Sequence, residues 1–224
     1  MTKTSPVPAE SSDDDEGIQS TELSGRSPRV PGRLAKPSHR RRVRVHHPLP
    51  MLTPDHDLPA ILRAILPGYV LPHDGTHGLT HWARVFENGL QLCEATGADT
   101  EVVTLFAIFH DARRVNEYRD DGHGHRGADL AASLRGSLVH LDAPRFELLY
   151  EACRLHTDGG TAGDLDMQVC WDSDRLDLGR VGIRPRPSRL CTPAAHGLID
   201  WAHERAEREH VPAGILAQWG CDIR

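Results

Sequence analysis

The chain has 224 residues, with 26 Lys+Arg against 32 Asp+Glu and a formal net charge of -6. The charge is uneven: residues 1–50 hold 9 Lys+Arg and 6 Asp+Glu, which leaves 17 and 26 for residues 51–224, a net of -9. An acidic body excludes strong general binding of polymeric nucleic acid, which needs clustered cations, and no stretch approaches the roughly 20 apolar residues of a membrane helix. A small phosphorylated partner is not excluded, because a local metal ion can supply the positive charge.

Residues 1–50 read as a disordered tail. "SSDDDEG" is an acidic run, and "SPRVPGRLAKPSHRRRVRVHHPLP" mixes prolines with solvated cations, leaving little apolar surface to offset the entropy of ordering. No aromatic residue interleaves the basic "HRRRVRVHH", so it reads as a linker before it reads as a nucleic-acid patch. The first residues lack the apolar core of a signal peptide. Cys93, Cys153, Cys170, Cys191 and Cys221 are odd in number and contain no C-x-x-C, the usage of reduced thiols in a cytosolic protein.

Met51 opens the first segment able to fold, and residues 51–224 are expected to form one all-α domain of about six to eight helices. "DLPAILRAIL" is a short amphipathic helix with Pro59 in its first turn. "THWARVFENGLQLCEATG" puts Trp82, Val85, Phe86, Leu90 and Cys93 on one face and stops at Gly97. "DTEVVTLFAIFHDARR" follows, with Asp99 or Thr100 as N-cap; being apolar almost all round, it should be the central helix. Helical spacing recurs in "GADLAASLRGSLVHL", "APRFELLYEACRLHT", "DLDMQVCWDSDRLDL" and "TPAAHGLIDWAHERAEREH", with no strand-like alternation of comparable strength.

Several of these helices carry a polar residue where an apolar one is expected. His81 starts the buried stripe of its helix, His110 and Asp111 end the central apolar run, His156 shares a face with Cys153 and Ala152, and Asp174 lies one turn after Cys170. A lone inward histidine is ordinarily a hydrogen-bonded core residue, and a lone inward Asp ordinarily caps a helix or pairs with Arg. Several together are expensive to desolvate unless something positive sits among them, and a divalent cation meets that need. Imidazole with carboxylate suits Fe, Mn, Zn, Co or Ni rather than Ca.

The ordered set "HWARV", "FHD", "DSDRLD" resembles the HD-domain superfamily, in particular small bacterial members, over roughly residues 76–182. The resemblance implies a single HD-type multi-helix bundle in which His81, the doublet His110–Asp111 and Asp174 are metal ligands, with Asp172 and Asp177 as neighbouring candidates for the last position. In "HGHRGA", His123 stands where two-metal members carry a further histidine, with His125 as its competitor; His156 matches the histidine after the following helix. One or two ions (Mn, Fe, Co, Ni, Zn or Mg) are implied.

The resemblance also implies metal-dependent hydrolysis of a nucleotide or other small phosphorylated compound, with His110, Asp111 and Arg114 in the catalytic set. Arg113 and Arg126 are candidates to hold the phosphate, although each reads equally as a surface arginine. Arg84 or Arg175 is a candidate to orient a ligand carboxylate. His203 and His210, among the charges of "WAHERAEREH", read as surface residues. Two other classes remain: a di-iron HD-type oxygenase, since ligands choose metals only loosely, and a non-catalytic HD module that binds a ligand. No P-loop, Rossmann or lipase-elbow pattern is present.

Overall fold

A computed structural model describes residues 56–221. The expected tail, residues 1–50 with its basic run, lies outside the described residues. Within them the chain forms eight α-helices and three short 3-10 turns, with one isolated bridge between Arg135 and Val139 and no strand. No helix of the described residues is long and apolar enough to cross a membrane.

The helices start where the sequence supplies caps. The Asp57 carboxylate accepts from the Ala60 amide at 2.9 Å to open α1 (Leu58–Ile65), with Pro59 in the first turn. α2 (Leu79–Thr96) ends on Gly97, whose φ of 78° suits a residue without Cβ. Asp99 accepts from the amides of Glu101 and Val102 to start α3 (Thr100–Phe109). The remaining helices are α4 (His123–Ser133), α5 (Ala143–Leu155, capped by Asp142), α6 (Leu165–Arg175, capped by Asp164), α7 (Pro193–Glu207, capped by Thr192) and α8 (Ala213–Gln218).

Every residue from Val102 to Phe109 is buried, so α3 is the axis of the bundle, as its unbroken apolar run requires. Helices α2, α4, α5 and α6 pack around it, while α7 and α8 lie against α2. Phe86 of α2 meets Trp219 edge to face, with ring centroids 5.6 Å apart, which docks the end of the described chain.

Three local features depart from the sequence reading. Helix α3 stops at Phe109 instead of running to Arg114; Ala112 N–H bonds the Phe109 carbonyl and Arg114 N–H bonds the Asp111 carbonyl, a tightened i to i+3 turn. Helix α4 begins at His123 and ends at Ser133, where the periodicity suggested residues 127–141. Its glycines explain both shifts. A Cβ on Gly127 would stand 2.3 Å from the Phe109 carbonyl oxygen, and one on Gly124 would stand 2.6 Å from that of Cys153. Helix α4 therefore presses backbone to backbone onto the ends of α3 and α5, and "HGHRGA" is a packing surface rather than a loop. The short α8 was not distinguished in the sequence.

Gly127→Ala should destabilise the fold by about 1–3 kcal/mol or more, because backbone must move to admit the methyl group. Gly197, inside α7, has nothing within 4 Å of a built Cβ, and Gly197→Ala should gain up to about 1 kcal/mol from helix propensity. Urea denaturation of the two variants against the parent checks both signs.

Candidate metal centre

The tightened turn after α3 carries His110 and Asp111 into the same place. His81 comes from the first turn of α2, Asp174 from the last turn of α6, His123 from the first turn of α4 and His156 from the C-cap of α5. The structure brings all six side chains together. They form two groups that could hold a metal ion, His81–His110–Asp174 and Asp111–His123–His156, with the ligand atoms of each within 4.8 Å of one another.

Asp111 joins the two groups by dividing its oxygens. Oδ2 lies 3.5 Å from His81 Nε2 and 3.7 Å from His110 Nε2, whereas Oδ1 lies 3.1 Å from His123 Nε2 and 3.7 Å from His156 Nε2. Asp174 Oδ1 completes the first group at 3.4 Å from His81 Nε2 and 4.0 Å from His110 Nε2. Ligand atoms bonded to one ion at about 2.0–2.2 Å stand about 3–4 Å from each other, so these separations match the edges of a coordination shell.

The imidazoles are all turned the same way. His81 Nδ1 donates to Asp177 Oδ2 at 2.7 Å, His110 Nδ1 to the Phe106 carbonyl at 3.1 Å, His156 Nδ1 to the Cys153 carbonyl at 2.7 Å, and His123 Nδ1 to the Asp120 carbonyl. A carbonyl or carboxylate oxygen only accepts, so each Nδ1 carries the proton and each Nε2 presents a lone pair inward. Two such lone pairs face each other at 3.1 Å (His81 and His110) and two more at 2.9 Å (His123 and His156). That arrangement repels unless a positive charge sits between.

Burial pushes the His110 imidazolium down to about 3 against the pull of Asp111 and Asp174, so the ring stays neutral and free to ligate. Burial opposes ionisation of Asp111, but the four histidines gathered round it, His110 foremost, outweigh burial and hold the carboxyl well below its ordinary range. Asp174 follows the same pattern, with Arg180 as the strongest opposing influence. Its buried Oδ1 has no hydrogen-bond partner. A neutral His110, ionised carboxylates and an orphaned buried oxygen fit a divalent transition metal.

Around this core the chain builds supports that the sequence did not single out. Asp177, named there only as a rival for the ligand Asp174, stands behind His81 and receives both Arg84 Nε at 2.7 Å and Arg84 Nη2 at 3.0 Å. Asp172, the other rival, accepts from the backbone of Cys191 and Thr192. Residues 174, 177 and 180 recur every three positions, a spacing that could have revealed Asp177 and Arg180 together. Buried His77 donates Nδ1 to Glu117 Oε2 and sits edge-on to His81, with centroids 6.1 Å apart. Its carbonyl accepts from Tyr69 and Trp82 at 2.8 Å each.

The arginines divide sharply. Arg114 reaches the centre, with Nη1 3.1 Å from His123 Nε2 and 3.5 Å from Asp111 Oδ1. Arg113 instead donates to the carbonyls of Ile65 and Ala112, and Arg126 pairs with Asp120, so the structure spends both substrate-binding candidates elsewhere. Arg175 likewise serves the carbonyls of Arg189 and Gly160. His125 is exposed, which leaves His123 as the inward histidine of its pair. His203 is buried rather than on the surface, and His210 is half-buried and lends its carbonyl to Arg84.

No family model and no curated protein matches the chain. Its structure is similar to that of a predicted HD superfamily hydrolase from an uncultured Thermotogales bacterium, with a TM-score of 0.51 and 22% sequence identity over 73% of this chain and 91% of that one. The fold is thus HD-type, all-α and built around the histidines and aspartates described above.

His123→Ala and His156→Ala should lower the bound metal from two ions to one without unfolding the chain, as measured by elemental analysis beside circular dichroism. An unchanged stoichiometry in both variants would mean that the second group holds no ion. Asp177→Asn should weaken metal binding or turnover by about 10–100-fold, the usual effect of loosening a ligating histidine from its outer carboxylate.

Proposed function

We propose that this chain is a metal-dependent phosphohydrolase of small phosphorylated compounds, nucleotides among them. The observation that carries the reading is the pair of facing Nε2 groups joined by one ionised carboxylate, Asp111, whose two oxygens serve opposite sides. His81, His110, Asp174 and Asp111 Oδ2 would hold one ion; Asp111 Oδ1, His123 and His156 would hold a second. Divalent ions in such a site lower the pKa of water toward neutrality and polarise the phosphoryl oxygens under attack.

The chain's own residues do the rest. Asp177, itself gripped by Arg84, fixes the plane of His81 and raises its basicity. The carbonyls behind His110, His123 and His156 fix the other three rings, so no rotamer search precedes ligation. Arg114 is held by the carbonyls of Asn116 and Tyr118 and keeps a cation against Asp111 and His123. Four protein ligands for one ion and three for the other would leave positions for water and substrate.

A bridging carboxylate among four imidazoles also suits a di-iron oxygenase, and the experiment is built to separate the two. The metal-loaded protein is assayed against mononucleotides, cyclic nucleotides and sugar phosphates for phosphate release, and against polyols and phosphonates for oxygen consumption. Phosphate release that disappears in Asp111→Asn supports the hydrolase. Oxygen consumption without phosphate release overturns it in favour of the oxygenase, and neither activity with ions bound favours a binding module.

A further inference from the structure

We propose that Arg180 is the side chain that binds the non-bridging oxygens of the substrate's phosphoryl group, an inference that rests on the hydrolytic reading above. Arg180 lies in the 3-10 turn Leu178–Val181, just after the end of α6 that supplies Asp174 and the turn residue Asp177. Its side chain is nine-tenths buried, at 10% exposure. Nη2 stands 3.6 Å from Asp174 Oδ1 and Nη1 3.9 Å from Asp177 Oδ2, close enough for charge attraction but beyond hydrogen-bond reach.

Nε and Nη1 of this guanidinium have no hydrogen-bond partner. Buried donors are nearly always satisfied, and leaving a charged group's donors empty is costly. Asp177 cannot readily meet the need, since its oxygens already receive Arg84 and His81. Asp174 Oδ1 belongs to the first ligand group, so once it is engaged there Arg180 has no carboxylate oxygen of its own. The missing partner is an anion that reaches the first group from outside the protein.

The other guanidiniums near the centre are spent. Arg84 is bonded to Asp177 and the His210 carbonyl, Arg113 to Ile65 and Ala112, Arg126 to Asp120 and the Arg113 carbonyl. Arg114 donates to the Asn116 and Tyr118 carbonyls and stands beside Asp111 on the side of the second group. Charge balance points the same way. The carboxylates of Asp111, Asp174 and Asp177 are matched by Arg84, Arg114 and Arg180, so every divalent ion adds two positive charges that nothing in the centre cancels. A phosphoryl dianion supplies that charge and offers several oxygens to a planar, two-pronged donor; a neutral polyol does neither.

Isothermal titration of inorganic phosphate tests the assignment, using the metal-loaded full chain with elemental analysis of each variant. Arg180→Gln should weaken phosphate binding by about 10–100-fold, the range for losing a charge-assisted hydrogen bond, with metal content unchanged. Arg180→Lys, which keeps the charge and loses the planar fork, should weaken it by less. Arg208→Gln, which removes an exposed guanidinium paired with Glu204, should leave it unchanged.

Phosphate affinity within twofold of the parent in Arg180→Gln overturns the proposal, as does loss of bound metal in both Arg180 variants, which would make the residue a brace for Asp174 and Asp177. Should the Gln variant fail to fold, the Lys variant decides: weakened phosphate binding with full metal supports the role, and unchanged binding overturns it. The two readings fail separately. A parent chain that binds phosphate through Arg180 yet cleaves no phosphoester loses the hydrolase reading alone. A parent chain that cleaves one while phosphate binding ignores Arg180 loses this inference alone.

Discussion

Four buried imidazoles, each with Nδ1 tied to a fixed oxygen acceptor and Nε2 turned inward, impose the condition that organises the rest of the molecule. A neutral ring donates on one side only, so anchoring the outer nitrogen decides the chemistry of the inner one before any ligand arrives. Three of the four acceptors are backbone carbonyls: those of Phe106 and Cys153 in the last turns of α3 and α5, and that of Asp120 in the turn before α4. The helix termini thus do two jobs. They close the ladders of α3 and α5, and they set the orientation of His110 and His156 at no further expense in side chains.

The apolar core makes this arrangement affordable in structural terms by holding the backbone still. Helix α3 is buried from Val102 to Phe109 and leads straight into the doublet, so the polar centre is anchored to the central element of the bundle. Gly124 and Gly127 let α4 lie directly against the ends of α5 and α3, which carries His123 to Asp111 and His156. A larger side chain at either position would separate the second ligand group before it disturbed the first. Charge is handled in the same layer: Arg84 secures Asp177, and Arg114 reaches Asp111 from the far side.

Much of this was legible in the sequence where the signal is local. The cap at Asp99, the stop at Gly97 and the 3.6-residue spacing mark most helices, because those features act within one or two turns. Five of the six side chains that converge were also visible as polar residues placed against apolar periodicity, and His123 through the resemblance that "HGHRGA" carries. What escaped were effects that act between distant segments. The helical spacing was read only from Gly127 because the glycines of "HGHRGA" serve close helix contact, and α3 was read five residues too long because its end packs against α4. Arg113 and Arg126 sit beside the motif in sequence but face carbonyls and Asp120, whereas Arg180, six residues past Asp174, comes back to it. His203 looked exposed among charges because its burial depends on the turn at Gly179 packing against α7.

The divided carboxylate of Asp111 has a thermodynamic corollary. One negative charge is shared between two groups, so a cation settled on Oδ2 draws electron density from Oδ1 and weakens the field that a second cation meets. By reciprocity each occupant must alter the other's affinity by the same factor. Two ions held in this way would have their affinities driven apart, and a half-loaded form would be populated across an interval of metal supply instead of being a fleeting intermediate. In that interval one tight and one exchangeable ion would be held, and the occupancy would track the free metal around the chain rather than the amount of protein present.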